Sequence, residues 1–176
     1  PFENFIKLKK KLDLKNKKII LGVASTWDKR KGFSDFIQLA SLLDANYKII
    51  LIGLTNKQIQ RLPDDIIGIQ RTESTAELAH FYSMADVYVN PTTKDNFPTT
   101  NIESLACGTP VITYDTGGSP EAIDDETGKV VKKGDVIGLY NEIKELALKP
   151  QENYAKVCRN RAEQLFNKDD RYQEYL

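Results

Sequence analysis

The 176 residues carry 25 Lys plus Arg against 25 Asp plus Glu and one His, so no net field draws nucleic acid or an acidic partner to the chain. That length suits one domain with a sizeable core, and no apolar run approaches the roughly twenty residues that span a bilayer. The two cysteines, Cys107 and Cys158, form no C-x-x-C or metal-spaced cluster, which points to a reducing, cytoplasmic setting, and no signal peptide is read.

Pro1 stands where a Met would begin a whole protein, so the chain is read as a piece of a longer one. Residues 1–18 are rich in Lys (Lys7, Lys9, Lys10, Lys11, Lys15, Lys17, Lys18), with Phe5, Ile6, Leu8, Leu12 and Leu14 interspersed, and part of this predicts a helix. A solvated face leading into the first strand is the preferred reading; a basic patch on anionic lipid ranks below it. Ile19, Ile20, Leu21 and Val23 predict a strand over Lys18–Ala24 buried on both faces, as a parallel sheet requires. A cationic loop, Ser25 to Gly32, follows it. A helix carrying Phe33, Phe36, Ile37, Leu39, Ala40 and Leu43 comes next.

Tyr47–Gly53 reads as a second strand, Lys57–Leu62 as a short helix and Ile66–Ile69 as a third strand. Ser74 and Glu77 make a capping box for a helix that buries Leu78, Phe81 and Met84, where His80 is a boundary position. Asp86–Pro91 predicts a fourth strand. Gly128–Val131 predicts a last one, followed by a helix capped at Asp135 (Val136, Leu139, Ile143, Leu146). Residues 151–166 form a final helix with Tyr154, Val157, Cys158, Ala162 and Leu165 as core, and the tail from Asp169 frays. Alternating strands and helices predict a doubly wound, Rossmann-like α/β fold, a single domain with helices on both faces of a parallel sheet. In such folds ligands sit beyond the carboxyl ends of the strands, and Lys31, Arg71, Asp95 and Gly117 all follow predicted strands.

The most informative stretch is 95–118, DNFPTTNIESLACGTPVITYDTGG. Asp95 and Glu103 stand eight positions apart; between them Pro98 and Thr99-Thr100-Asn101 read as a helix start, with Pro at the first helical position. The helix passes Ile102, Leu105 and Ala106 and stops at Gly108, with Pro110 beyond it; Val111–Tyr114 is a buried strand and Gly117-Gly118 a tight loop. A helix opening on a cleft offers free N–H groups and a positive dipole end to an anion, and flanking acids accept from hydroxyls, so the ligand suggested is a phosphate joined to sugars. Taken singly, each residue also has a structural reading. Thr100-x-x-Glu103 is itself a capping box, Asp95 suits a local turn, and Gly117-Gly118 either lets backbone approach a ligand or turns the chain.

This stretch resembles the E-x7-E region of the retaining, family-four glycosyltransferases of the GT-B architecture. Asp95 stands at the first Glu, Glu103 at the second, and Leu105-Ala106-Cys107-Gly108-Thr109-Pro110-Val111-Ile112 matches the run after it. Asp95-Asn96-Phe97-Pro98 is similar to enzymes that build capsules, O-antigens, lipopolysaccharide and exopolysaccharides. The resemblance spans about residues 17–150 and implies half of a GT-B fold. It divides the chain into a leading segment 1–16, a nucleotide-sugar-binding domain 17–168 and a tail 169–176, with the acceptor domain outside the chain. It implies catalytic roles for Lys31, Asp95 and Glu103. Lys31 grips the donor diphosphate, Asp95 the transferred sugar and Glu103 the ribose; amides around Phe97 to Asn101 (Phe97, Thr99, Thr100, Asn101) face sugar and phosphate, and Asn96 and Pro98 belong to the same donor-binding stretch. The family's Arg position holds Thr26, so Arg30 either takes over that charge or points to solvent. The base lies at Gln70-Arg71-Thr72, where Arg71 stacks on it or stays exposed. Glu121 is read as a surface or local residue.

The reading implied is a cytoplasmic hexosyltransferase, with peripheral contact at the inner face of the membrane as the alternative. It would take a UDP-sugar or GDP-sugar without metal or other cofactor, and pass the sugar to a glycan or lipid-linked glycan acceptor. The chain alone is expected to bind donor weakly and transfer nothing. Alternatives are a non-catalytic nucleotide-sugar-binding module and a nucleotide-sugar epimerase. No G-x-G-x-x-G, G-x-x-x-x-G-K-[ST], D-x-D or G-x-S-x-G is present, which sets aside dinucleotide oxidoreductases, P-loop NTPases, metal-loop glycosyltransferases and α/β-hydrolases.

Overall fold

The computed structural model describes residue 10 and residues 12–166, without the side chains of 165 and 166. The readings of Phe5, Ile6, Leu8, Lys7, Lys9, Lys11 and the tail from Asp169 fall outside the described residues, as does the side chain of Leu165. Nearly continuous apolar runs become strands because both of their faces are covered: Ile19, Ile20 and Leu21, and Ile49, Ile50 and Leu51, are all buried. Among the described residues six strands, β1 (Lys18–Val23), β2 (Tyr47–Ile52), β3 (Ile66–Ile69), β4 (Val87–Asn90), β5 (Val111–Tyr114) and β6 (Gly128–Val131), form one sheet in the order β3-β2-β1-β4-β5-β6. Every pairing is parallel, with Ile20 opposite Ile49 on one side and opposite Val87 on the other.

Among the described residues six α-helices accompany the sheet: α1 (Phe33–Leu42), α2 (Asn56–Ile59), α3 (Thr75–Met84), α4 (Thr99–Ala106), α5 (Val136–Leu148) and α6 (Glu152–Phe166). Right-handed crossovers send the connections leading outwards from β1 and those leading outwards from β4 to opposite faces. Accordingly α1 packs with α5, while α4 packs with α3 and α6. The sheet therefore reverses its winding between β1 and β4, and the loops after those two strands open on the same crevice.

Several local expectations are corrected. Asp86 lies outside β4 because its carboxylate holds the start of β1, accepting from the Ile19 amide at 2.8 Å and the Lys18 ammonium at 3.0 Å. Ser74 caps α3 through the Glu77 amide (3.1 Å), but Glu77 reaches past the cap to the Glu73 amide (2.6 Å), so the reciprocal box is not closed. The short helix starts one residue earlier, at Asn56, because Thr55 and Gln58 form a complete capping box there. Asp135 caps α5 through the Gly138 amide as expected (2.8 Å). Cys107 and Cys158 are free thiols, and burial pushes Cys158 up to about 12. Among the described residues no helix is long and apolar enough to cross a membrane.

Candidate functional site

Three loops, those after β1, β4 and β5, are tied together before any ligand is considered. In the first, Asp28 caps a 3-10 turn (Lys29–Lys31), accepting from the Arg30 amide at 2.8 Å and the Lys31 amide at 3.2 Å. The same carboxylate takes the Arg30 guanidinium at 2.8 and 3.0 Å, so the charge of Arg30 is paired locally at the surface. Its carbonyl accepts from the Thr93 amide (2.7 Å) and the Thr92 hydroxyl (3.2 Å), which fastens the first loop to the second. Gly32 closes the turn at φ +73°, with Pro91 so near that a Cβ would lie 2.4 Å from its carbonyl oxygen. Beneath it Trp27 is buried edge-on against Phe36 and donates from Nε1 to the Ile52 carbonyl at 2.9 Å.

This bracing carries Lys31 across the crevice to Asp95, Nζ to Oδ2, at 2.5 Å, with both side chains mostly covered. The third loop supports Asp95 from behind. Gly117 has φ +51° and lies so close that a Cβ would sit 1.8 Å from the Asp95 carbonyl oxygen, while the Gly118 amide donates to the Asn96 carbonyl at 2.9 Å. The glycine pair thus lets two loops touch backbone to backbone, behind the acid.

Helix α4 begins beside Asp95. Pro98 occupies the N-cap and not the first helical position; no side chain caps the helix, and among the described residues the amides of Thr99 and Thr100 have no partner. The capping box expected from Thr100 and Glu103 does not form, because Pro98 takes the cap and Thr100 lies inside the helix. Free N–H groups and the positive end of the dipole therefore meet the crevice. Glu103, an exposed residue, accepts instead from the Tyr82 hydroxyl at 2.9 Å.

The remaining expected site residues divide. Asn101 is fully buried: its side chain accepts from Asn90 (2.8 Å) and donates to the Ser119 carbonyl (3.1 Å), and its amide bonds the Pro98 carbonyl, so it supports α4 from inside. Pro98 is buried, Asn96 is exposed and Phe97 is 36% exposed at the rim. Thr26 and Arg71 are exposed, and neither makes a hydrogen bond or ion pair among the described residues. Glu121 is exposed as read.

Two tyrosines were not foreseen. Tyr88 is wholly buried, and its hydroxyl donates to the Val23 carbonyl at 3.4 Å, at the carboxyl end of β1. Burial pushes its pKa well above the tyrosine range; the Thr100 side chain beside it opposes that, and the charges of both Glu103 and Asp95 add to it. The charges of both carboxylates thus act on one buried phenol. Tyr82 packs edge-on against Tyr88, ring centres 5.4 Å apart. The signal in sequence was a pair of buried-run tyrosines whose hydroxyls needed partners. Among the described residues no three His, Cys, Asp or Glu side chains gather to hold a metal ion.

A family model described as "Glycosyl transferases group 1" matches residues 4–165. The chain is 27% identical over 143 residues to the capsular polysaccharide biosynthesis glycosyltransferase CapM of Staphylococcus aureus, covering 76% of this chain and 38% of that one. It is 26% identical over 170 residues to the N-acetyl-alpha-D-glucosaminyl L-malate synthase of Bacillus anthracis, covering 90% and 44%. Among solved structures it resembles sucrose-phosphate synthase from Thermosynechococcus elongatus (TM-score 0.81, 27% identity, 95% of this chain and 47% of that chain). It also shares its fold with Anabaena HepE in complex with UDP-glucose (TM-score 0.82, 19% identity, 98% and 51%). The chain thus spans less than half the length of the curated relatives described here.

Proposed function

This chain belongs to the group 1 glycosyl transferases, and from that premise we propose that it is the donor-binding half of a retaining, GT-B hexosyltransferase that takes a UDP-sugar or GDP-sugar. The observation that carries the reading is the Lys31–Asp95 pair beside the uncapped start of α4, at the point where the sheet reverses. A diphosphate bound there meets one ammonium and the Thr99 and Thr100 amides. One N–H of Lys31 goes to Asp95, and two remain for phosphate oxygens. As the sugar–phosphate bond lengthens, negative charge grows on the leaving diphosphate, and donors aimed at that charge supply a few kcal/mol each.

In this reading Asp95 accepts from a hydroxyl of the transferred sugar and Glu103 from the ribose, with Asn96 and Phe97 at the sugar end. Lys31 and the helix tip supply the charge compensation a divalent cation would otherwise give, so chelation leaves binding unchanged. The kinship with CapM, a capsular polysaccharide enzyme, supports a growing glycan or lipid-linked glycan as acceptor, and HepE in complex with UDP-glucose supports a UDP-type donor. The acceptor would be held by a second domain, in an enzyme working at the cytoplasmic face of the membrane.

Calorimetry of the chain with UDP, GDP and their hexoses, with and without EDTA, tests the proposal. Binding in the micromolar to millimolar range that survives EDTA is expected, with no transfer by this chain alone. Absence of binding to any of them would overturn the donor reading, and transfer by the chain alone would overturn the division of labour.

A further inference from the structure

Glu103 sits in the second turn of α4 as an exposed residue with a long, flexible side chain, and it enters no ion pair among the described residues. The one hydrogen-bond partner of its side chain among the described residues is the Tyr82 hydroxyl. Tyr82 is the opposite kind of residue. It is 1% exposed, its ring is stacked edge-on against Tyr88, and its carbonyl accepts from the Thr109 hydroxyl at 2.6 Å, just past the end of α4. The residue is therefore fastened to the α4 segment at two points, its backbone to the exit and its phenol to Glu103.

We propose that Tyr82 is a positioning residue that holds the Glu103 carboxylate for the two vicinal hydroxyls of a ribose, and that the site thereby selects ribonucleotide over deoxyribonucleotide donors. The inference rests on the donor-binding reading given above. An ionised carboxylate offers about four acceptor directions. Tyr82 fills one of them from inside the protein and leaves the others on the exposed side. Burial first, then the neighbouring Tyr88 and Glu103, hold the phenol protonated far beyond neutral pH, so Tyr82 serves only as donor to Glu103. A carboxylate anchored at one oxygen presents a fixed pair of acceptors, and a vicinal diol is the ligand that matches them.

The test compares UDP with 2′,3′-dideoxy-UDP on the full chain, in the unsubstituted protein, Tyr82→Phe, Glu103→Ala and the double variant. The unsubstituted protein should prefer UDP by about tenfold or more, the worth of one hydrogen bond to a charged group. In Tyr82→Phe, which keeps the ring and its stack, that ratio should fall to about threefold or less with the melting temperature nearly unchanged. In the Glu103→Ala background Tyr82→Phe should change nothing further, since the two act as one unit. Should the phenylalanine variant fail to fold, Tyr82→Met fills the space without a donor and carries the same expectation. A ratio unchanged in Tyr82→Phe, or equal weakening of both ligands, makes the bond a mere tie between α3 and α4 and overturns the inference. UDP binding with no preference for ribose overturns it while sparing the donor site, whereas no binding of UDP or GDP removes both.

Discussion

The carboxyl rim of the sheet has two halves built on different terms. On the β1, β4 and β5 side, loops hold one another by polar bonds: Thr93 to Arg30 (2.7 Å), Thr116 to Thr92 (2.7 Å), Gly118 to Asn96 (2.9 Å), with Asn101 buried between Asn90 and Ser119 underneath. On the β2 and β3 side, the Gly53 and Leu54 amides meet the Ile69 carbonyl (2.9 and 3.2 Å), and beyond it Gln70, Arg71 and residues 73–76 are exposed. Where charge must be handled, the backbone is over-determined and the acceptors and donors are fixed in advance. The other half leaves its side chains to adapt. On the proposed donor reading, geometry would be demanded where diphosphate and sugar bind, while the base end would tolerate change.

Substitutions can break that contrast, and the braced half should yield the largest effects. Gly117→Ala sets a Cβ on the Asp95 carbonyl oxygen in a left-handed backbone. It should cost about 3 kcal/mol or more, seen as a melting temperature lower by roughly 6–12 °C, with donor binding lost. Asn101→Leu strands the Asn90 amide and the Ser119 carbonyl, and should cost about 2–3 kcal/mol in denaturant titrations. Lys31→Ala sharpens the comparison by separating binding from stability. Its partly exposed ion pair contributes about 0–1 kcal/mol to folding, yet UDP affinity should fall about tenfold or more by calorimetry. Arg71→Ala, on the open half, should leave the melting temperature unchanged and UDP affinity within about threefold. A large loss there would move the site's demand to the base end and dissolve the contrast.

Much of this was legible in the chain because parallel strands advertise themselves. Residues 19–21 and 49–52 are apolar on both faces, and Lys31 and Asp95 fall just after strands, where an α/β sheet keeps its ligands. The support beneath the site was not. Asn101 in a first turn reads as a cap, but Pro98 occupies the cap and turns Asn101 inward to buried partners. Two S/T-x-x-E patterns look alike in sequence and do different work: Ser74 caps α3, whereas Glu103 leaves Thr100 for Tyr82, a residue distant in sequence. Tyr82 was hidden beside Phe81 because helical periodicity marks which side is buried, not which hydroxyl needs a partner. Arg30 shows the converse, a local effect readable in Asp28-Lys29-Arg30, where the nearest carboxylate captures the charge.

Backbone amide shifts followed by NMR while UDP is titrated into the chain test the account most directly. Shifts concentrated at residues 28–32, 95–103 and 117–119, with the Thr99 and Thr100 amides among the largest, are what the braced rim predicts. Shifts confined to the opposite edge of the sheet, around Asp13 to Lys18 and Asp86, or spread evenly with the Thr99 and Thr100 amides unmoved, would contradict it.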